Sequence, residues 1–180
     1  MLHGDKVALR ARLASDIPIL DADLYADVAA WSRTDTRPWR PIPPGSADSP
    51  FQASRLDSDL VDRFSVVELA SGELAGDAVL WGLDHHSRAA HIGLSLRAQF
   101  RGKGMGIDVV RVLCRYGFVT RGLHRLQAET LADNDAMIGA ALRAGFVEEG
   151  RLRRSAWVNG VYADEVIFGL LADEWRRDGG

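Results

Sequence analysis

A chain of 180 residues, 47% hydrophobic and 26% charged, is long enough for one domain with a sizeable core, and no apolar run approaches the ~18 residues of a membrane span. A formal charge of -3 argues against a broad basic nucleic-acid surface, and a lone cysteine, Cys114, excludes an intrachain disulfide framework. The opening "MLHGDKVALRARL" has no cleavable leader pattern, so the expected setting is cytoplasmic.

Lys6–Arg12 alternates Val7, Leu9 and Ala11 with charged residues and reads as a half-buried strand. Ser15 or Asp16 caps an expected helix to about Trp31, with Ile17, Leu20, Leu24 and Val28 at helical spacing. Pro38, Pro41, Pro43, Pro44 and Pro50 then mark an irregular excursion over about 33–54, read as an insertion within a single domain spanning 1–180. A short helix is expected near Arg55–Val61. Three strands follow: Phe64–Leu69, Leu74–Leu83 and Ala90–Leu96, separated by the turns "ASGE" and "DHHSR", in an antiparallel meander. Ile107–Thr120 reads as a helix, with Gly106, Val109, Val110, Leu113 and Gly117 on one face and Asp108, Arg111 and Arg115 in a polar stripe. Arg125–Leu131 is a strand, and Asn134 caps a helix to about Arg143 that stops at Gly145. Asn159-Gly160 joins two final strands into a hairpin. The order β-α-α-βββ-α-β-α-ββ describes an α/β (α+β) domain with a mixed sheet.

The stretch "LSLRAQFRGKGMGIDVV" carries the strongest chemical signal. Gly102, Gly104 and Gly106 sit between a strand and a helix, with Arg101 and Lys103 interleaved. Unmet amides at a helix start, with the positive end of its dipole, bind anions, and glycines let a phosphate come close. The dinucleotide fingerprint would need glycine at 107, which is Ile107, and the P-loop pattern is absent.

Arg101-Gly-Lys-Gly-Met-Gly106 resembles the R/Q-x-x-G-x-G/A loop of the GNAT N-acetyltransferases. "GDKVALRARLASD", "GELAGDAVLWGLD", "RAAHIGLSL", "NDAMIGAALRAGF" and "GRLRRSAWVNGVYADEVIFGLLADEW" are similar to their counterparts in the RimJ/RimL-type branch. That resemblance covers nearly the whole chain outside about 33–60. It implies the GNAT fold, a mixed, mostly antiparallel twisted sheet of about seven strands flanked by helices. It implies acetyl-CoA as co-substrate and no metal. The pyrophosphate would lie on Arg101, Gly102, Lys103, Gly104, Met105 and Gly106. The pantetheine would lie on the main chain of Leu94 and Leu96, with a contact from Asn134, which also reads as a plain helix cap. The acceptor would be a primary amine, on a small molecule or a protein N-terminus, and a homodimer is a family-level expectation.

Removing a proton from the amine needs a base, for which the resemblance points to a carboxylate or histidine. His91 is the first choice, Glu129 on the paired strand the second, and Asp77 the third. For the leaving thiolate, either it departs unaided or Ser95, which shares strand parity with His91, helps through water. Many relatives carry a tyrosine acid four residues before the Gly-Phe pair; here that position is Ala141, and Met137 and Ala156 also depart from the RimJ/RimL pattern. Trp31, Trp39 and Arg40 flank the Pro-rich excursion and are read as an acceptor wall, against the alternative that the tryptophans pin the loop. Cys114 reads as a core residue. Succinyl-CoA in place of acetyl-CoA, or a silent CoA-binding module, are the competing readings.

Overall fold

A computed structural model describes residues 1–35, 37–52 and 59–175. Eight strands form one sheet in the order β1-β2-β3-β4-β5-β6-β8-β7. They are β1 (Leu2–His3), β2 (Val7–Ala11), β3 (Val61–Glu68), β4 (Leu74–Asp84), β5 (Ala89–Leu96), β6 (Arg125–Leu131), β7 (Val147–Val158) and β8 (Val161–Leu171). Every neighbouring pair is antiparallel except β5–β6. The mixed, mostly antiparallel sheet is the expected one. The eighth strand is the two-residue β1, too short to show a period. The short helix expected near Arg55–Val61 falls mainly outside the described residues, and its last residue, Val61, opens β3.

The first expected helix is broken. A 3-10 turn at Ala14–Asp16 leads into α1 (Ile17–Leu20) and a π-helical turn at Asp21–Tyr25. Asp27 is extended, with φ -80° and ψ 92°, and its carboxylate accepts from the Ala30 amide to restart the chain as α2 (Val28–Trp31). The local capping preference of Asp27 overrides the helical spacing. α3 (Met105–Arg115) continues as a π-helical turn to Thr120, and α4 (Asp135–Arg143) follows β6. The last hairpin closes as read, with positive φ at both Asn159 (48°) and Gly160 (89°).

Alternation along the strands separates two faces. Val7, Leu9, Val66, Ala78, Leu80, Ile92, Leu126 and Phe168 point into the main core, where α3 packs on β2, β4 and β5 and α4 on β6. A second cluster, Ile17, Leu20, Leu24, Tyr25, Trp31 and Phe51, gathers α1, α2 and the Pro-rich segment. The other face of the sheet is polar. There Arg10 and Asp16 pair beneath Ser65, and Arg12 pairs with Asp77. Among the described residues no helix is long and apolar enough to cross a membrane.

Candidate active site

The glycine loop is held from beneath. Phe100 is buried at 2% exposure and anchors it, with the Arg97 and Lys103 cations 5.6 and 5.5 Å from its ring centre. Gly102 and Gly104 take φ of 73° and 78°, a left-handed backbone that side chains resist. A side chain at Gly102 or Gly106 would meet open space. Among the described residues no acceptor engages the amides of Gly102, Lys103 or Gly104. Free amides, a helix start and open room above the loop fit a pyrophosphate.

Asp108, expected in a polar stripe, is buried instead at 6% exposure. Its carboxylate accepts from the amides of Asp5, Lys6 and Val7 at 3.1, 2.7 and 2.9 Å. This clamps the β1–β2 turn to the first turn of α3, where an acid also suits the dipole. The clamp brings Lys6 to the loop, its Nζ donating to the Lys103 carbonyl at 2.7 Å. Lys6 is a loop cation that strand alternation alone presented as an ordinary surface residue. The only hint was the Gly4-Asp5-Lys6 turn before β2.

The gap beside the loop follows from register. β5 and β6 pair from Ala89↔Arg125 to Ile92↔Ala128 and no further, although β5 runs on to Leu96 and β6 to Leu131. The Arg97 amide donates to Ala75, so the opposed pairs Ser95↔Asp77 and Gly93↔Val79 are the hydrogen-bonded ones. The main-chain groups of Leu94 and Leu96 therefore face away from β4, into the gap. Arg101 Nε takes the Leu96 carbonyl at 2.8 Å. The close β4–β5 approach is set at Gly76, where a Cβ would lie 2.1 Å from the Ser95 carbonyl.

On the polar face His91 is half-buried and stacked on Trp81, ring centres 4.2 Å apart at 26°. The irregular register between Trp81 and Asp84 and the positive φ of Gly82 make room for the ring, since a Cβ there would lie 3.2 Å from His91 Cδ2. His91 Nδ1 lies 3.4 Å from Glu129 Oε1, within ion-pair reach, but the angle leaves this buried nitrogen without a proper hydrogen bond. Burial pushes the His91 pKa below 6.5; Glu129 partly offsets this and Arg125 adds to it. Glu129 is itself held by Gln127 Nε2 at 2.6 Å, and Arg125 reaches Gln127 at 3.3 Å. Gln127 is the residue opposite His91 in β6, a link visible only once the strands are paired.

Ser95 sits on this face opposite Asp77. Asp77 is buried and ion-paired to Arg12, so its carboxylate is committed to structure. Asn134 caps α4 through the Met137 amide at 3.3 Å and gives its own amide to Thr130 at 2.9 Å. Trp31 is buried against Tyr25 and Phe51. Trp39 stacks on Tyr25 and donates to its carbonyl at 3.0 Å, and Arg40 binds the Tyr25 hydroxyl through its main chain. The tryptophans thus pin the Pro-rich segment. Ala141 is buried, and burial pushes the Cys114 thiol up to about 12, so neither supplies a proton or a nucleophile. No group of three His, Cys, Asp or Glu gathers among the described residues.

Comparison with known proteins gives a consistent result. The family model described as "Acetyltransferase (GNAT) domain" matches residues 6–147. "Putative ribosomal N-acetyltransferase YdaF" of Bacillus subtilis is 36% identical over 110 residues, 61% of this chain and 60% of that one. Spermidine N(1)-acetyltransferase of Escherichia coli is 28% identical over 139 residues, 73% of this chain and 74% of that one. The solved structure of Mycobacterium smegmatis RimJ in complex with CoA-disulfide superposes with a TM-score of 0.82 at 22% identity, over 95% of this chain and 84% of that one. The chain thus spans 60% of the length of its Bacillus subtilis relative.

Proposed function

Because the chain belongs to the GNAT acetyltransferase family, we propose that it transfers an acetyl group from acetyl-CoA to a primary amine by direct attack in a ternary complex. The observation that carries this reading is the end of β5–β6 pairing at Ile92↔Ala128, which opens a gap leading to the glycine loop. Past Ile92 the β5 edge has no strand partner, and although the Leu96 carbonyl already accepts from Arg101, the Leu94 main chain and the Leu96 amide are open to a ligand that bonds to them.

The amides of Gly102–Gly106, with Arg101, Lys103 and Lys6, would hold the pyrophosphate. Leu94 and Leu96 would hold the pantetheine, and Asn134 keeps its helix-capping role beside it. When bound, acetyl-CoA supplies a thioester carbonyl whose C–S bond breaks as a C–N bond to the amine forms. A proton on His91 Nδ1 faces Glu129, which leaves Nε2 with a lone pair for the amine proton. Glu129 orients the ring and steadies the imidazolium. The Leu94 amide is the donor for the oxyanion. Ala141 offers no acid, so the thiolate departs unaided or takes a proton through water from Ser95.

Two of the relatives named above carry the names "Putative ribosomal N-acetyltransferase" and "Spermidine N(1)-acetyltransferase". The acceptor class here is accordingly a primary amine, on a small molecule or a protein N-terminus. The test is the rate of free-thiol release from acetyl-CoA with an amine panel, for wild type and His91→Gln. A His91→Gln rate lowered ~100-fold or more is expected for loss of a general base. No amine-dependent release by the wild type would sink the reading.

A further inference from the structure

We propose that Arg63 binds a carboxylate carried by the amine acceptor, so that the substrates are amines bearing an acid group, such as amino acids, and not polyamines. The proposal rests on the acetyltransferase reading above and names its acceptor class.

Arg63 lies on β3, between Phe64, which faces the core, and Asp62. Alternation puts its side chain on the polar face. Register runs from Arg63 to Val79 on β4 and from Val79 to Gly93 on β5, so the three share one row across the sheet. At strand spacings of about 4.8 Å, the Arg63 backbone is roughly 10 Å from Gly93. Gly93 directly precedes Leu94, where the thioester is placed. Val79 stands between them, its side chain close over Gly93, where an added Cβ would lie 3.0 Å from it. An arginine side chain covers much of that distance, and a short amino acid spans the rest.

Among the described residues the charges around Arg63 do not balance. Its charged neighbours there are Asp77, Arg12, Arg37 and Asp35. Arg12 occupies Asp77, and also donates to the Phe51 and Phe64 carbonyls at 3.1 and 2.8 Å. Arg37 occupies Asp35 through Nε and Nη2. Among the described residues three guanidinium groups thus share two carboxylates, each already paired with another arginine. Arg63 makes no hydrogen bond or ion pair among the described residues, and its Nε is buried without a partner. Burial lowers its pKa; Asp77 and, less, Asp35 work against this, and the cations Arg12 and Arg37 add to it. A half-buried cation whose Nε lacks a partner is costly, and an arriving carboxylate reduces that cost through a forked pair of hydrogen bonds. A polyamine would bring more positive charge to the same place.

The test compares L-methionine, L-phenylalanine and L-aspartate with their α-amides and with spermidine, using wild type, Arg63→Met and Arg63→Lys. Wild type should favour the acids over their amides by about thirtyfold or more in kcat/KM, and Arg63→Met should erase that preference while amide rates stay within about threefold. Arg63→Lys should recover part of it. Thermal protection by CoA should be unchanged in all three, and Arg63→Met should unfold no earlier than wild type, because an unpaired buried cation is removed. Preference for an amide or spermidine, equal loss toward acids and amides, or CoA binding with no transfer to any acid would each overturn the proposal. A dependence on Arg63 seen only when succinyl-CoA replaces acetyl-CoA would move the carboxylate to the thioester and overturn it as well. Failure of CoA to protect the wild type would instead bring down the acetyltransferase reading itself. If Arg63→Met does not fold, wild-type inhibition decides: 3-phenylpropionate must compete with the amine and its amide must not.

Discussion

At His91 burial favours the neutral ring and Glu129 the charged one, and burial wins. The ring is therefore neutral at pH 7, the form a base requires. As pH falls through a value below about 6.5 the ring charges and transfer stops. We expect an acid limb in kcat/KM with its midpoint below 6.5, moved further down in Glu129→Gln, because the stabilising carboxylate is gone. A limb unmoved by both His91→Gln and Glu129→Gln would assign the base elsewhere. Asp16 shows the opposite balance. Burial raises its pKa, but hydrogen bonds from Arg10, the Leu13 amide and Ser65 outweigh this and hold it at about 2. Its folded pKa is depressed, so the stability it contributes, about 2 kcal/mol, is present above pH 4 and lost as pH falls toward 2. Urea unfolding of Asp16→Asn should show a smaller loss of stability across that window than wild type. The Arg12–Asp77 pair is almost fully enclosed, with side-chain exposures of 2% and 11%. Asp77→Ala leaves two cations uncompensated and should cost about 3–5 kcal/mol in the same measurement.

At the scale of elements, Gly76 makes the site possible by letting β4 and β5 approach where β5 must turn its main chain toward the gap. Gly76→Ala would press a methyl onto the Ser95 carbonyl and should cost about 1–3 kcal/mol while weakening CoA binding. Titration calorimetry with CoA and urea unfolding check the two halves of that statement. The elements were unevenly legible. β5 and β6 stood out because one buried face imposes a period of two, β4 as a mostly apolar run buried on both faces over Leu74–Ala78, and the closing hairpin because Asn159-Gly160 suits a tight turn. The α1–α2 segment was not legible as a broken helix, because its spacing at Ile17, Leu20 and Leu24 is helical and the break depends on one cap at Asp27. Asp108 misled for a similar reason. Its position on α3 is polar by pattern, but the amides it serves lie about a hundred residues earlier in the chain.

Over the whole molecule, the sheet keeps its core on one side and its charges on the other, and the gap between β5 and β6 joins the two. The loop "RGKGMG" announced an anion site from sequence, since glycines at a helix start have few other uses. Lys6, Gln127 and Arg63 stayed hidden, because their roles depend on which strands become neighbours. The exposed Trp157 and Tyr162 pack edge to face at the tip of the closing hairpin, and the homodimer expected from the family resemblance would cover them. Sedimentation at micromolar concentration should give twice the chain mass, and Tyr162→Glu should reduce it to one.

The most direct test of the central claim is calorimetric titration of CoA into wild type and Gly106→Asp. A side chain at Gly106 meets only open space, and an acid in the first turn of α3 suits the helix dipole, so this variant should fold at least as well as wild type. It also puts a negative charge where the pyrophosphate is expected. The account predicts one CoA site in wild type and at least a ~30-fold weaker one in Gly106→Asp, the cost of a like charge in a charge-assisted site. Equal binding by both proteins, or none by wild type, would contradict it.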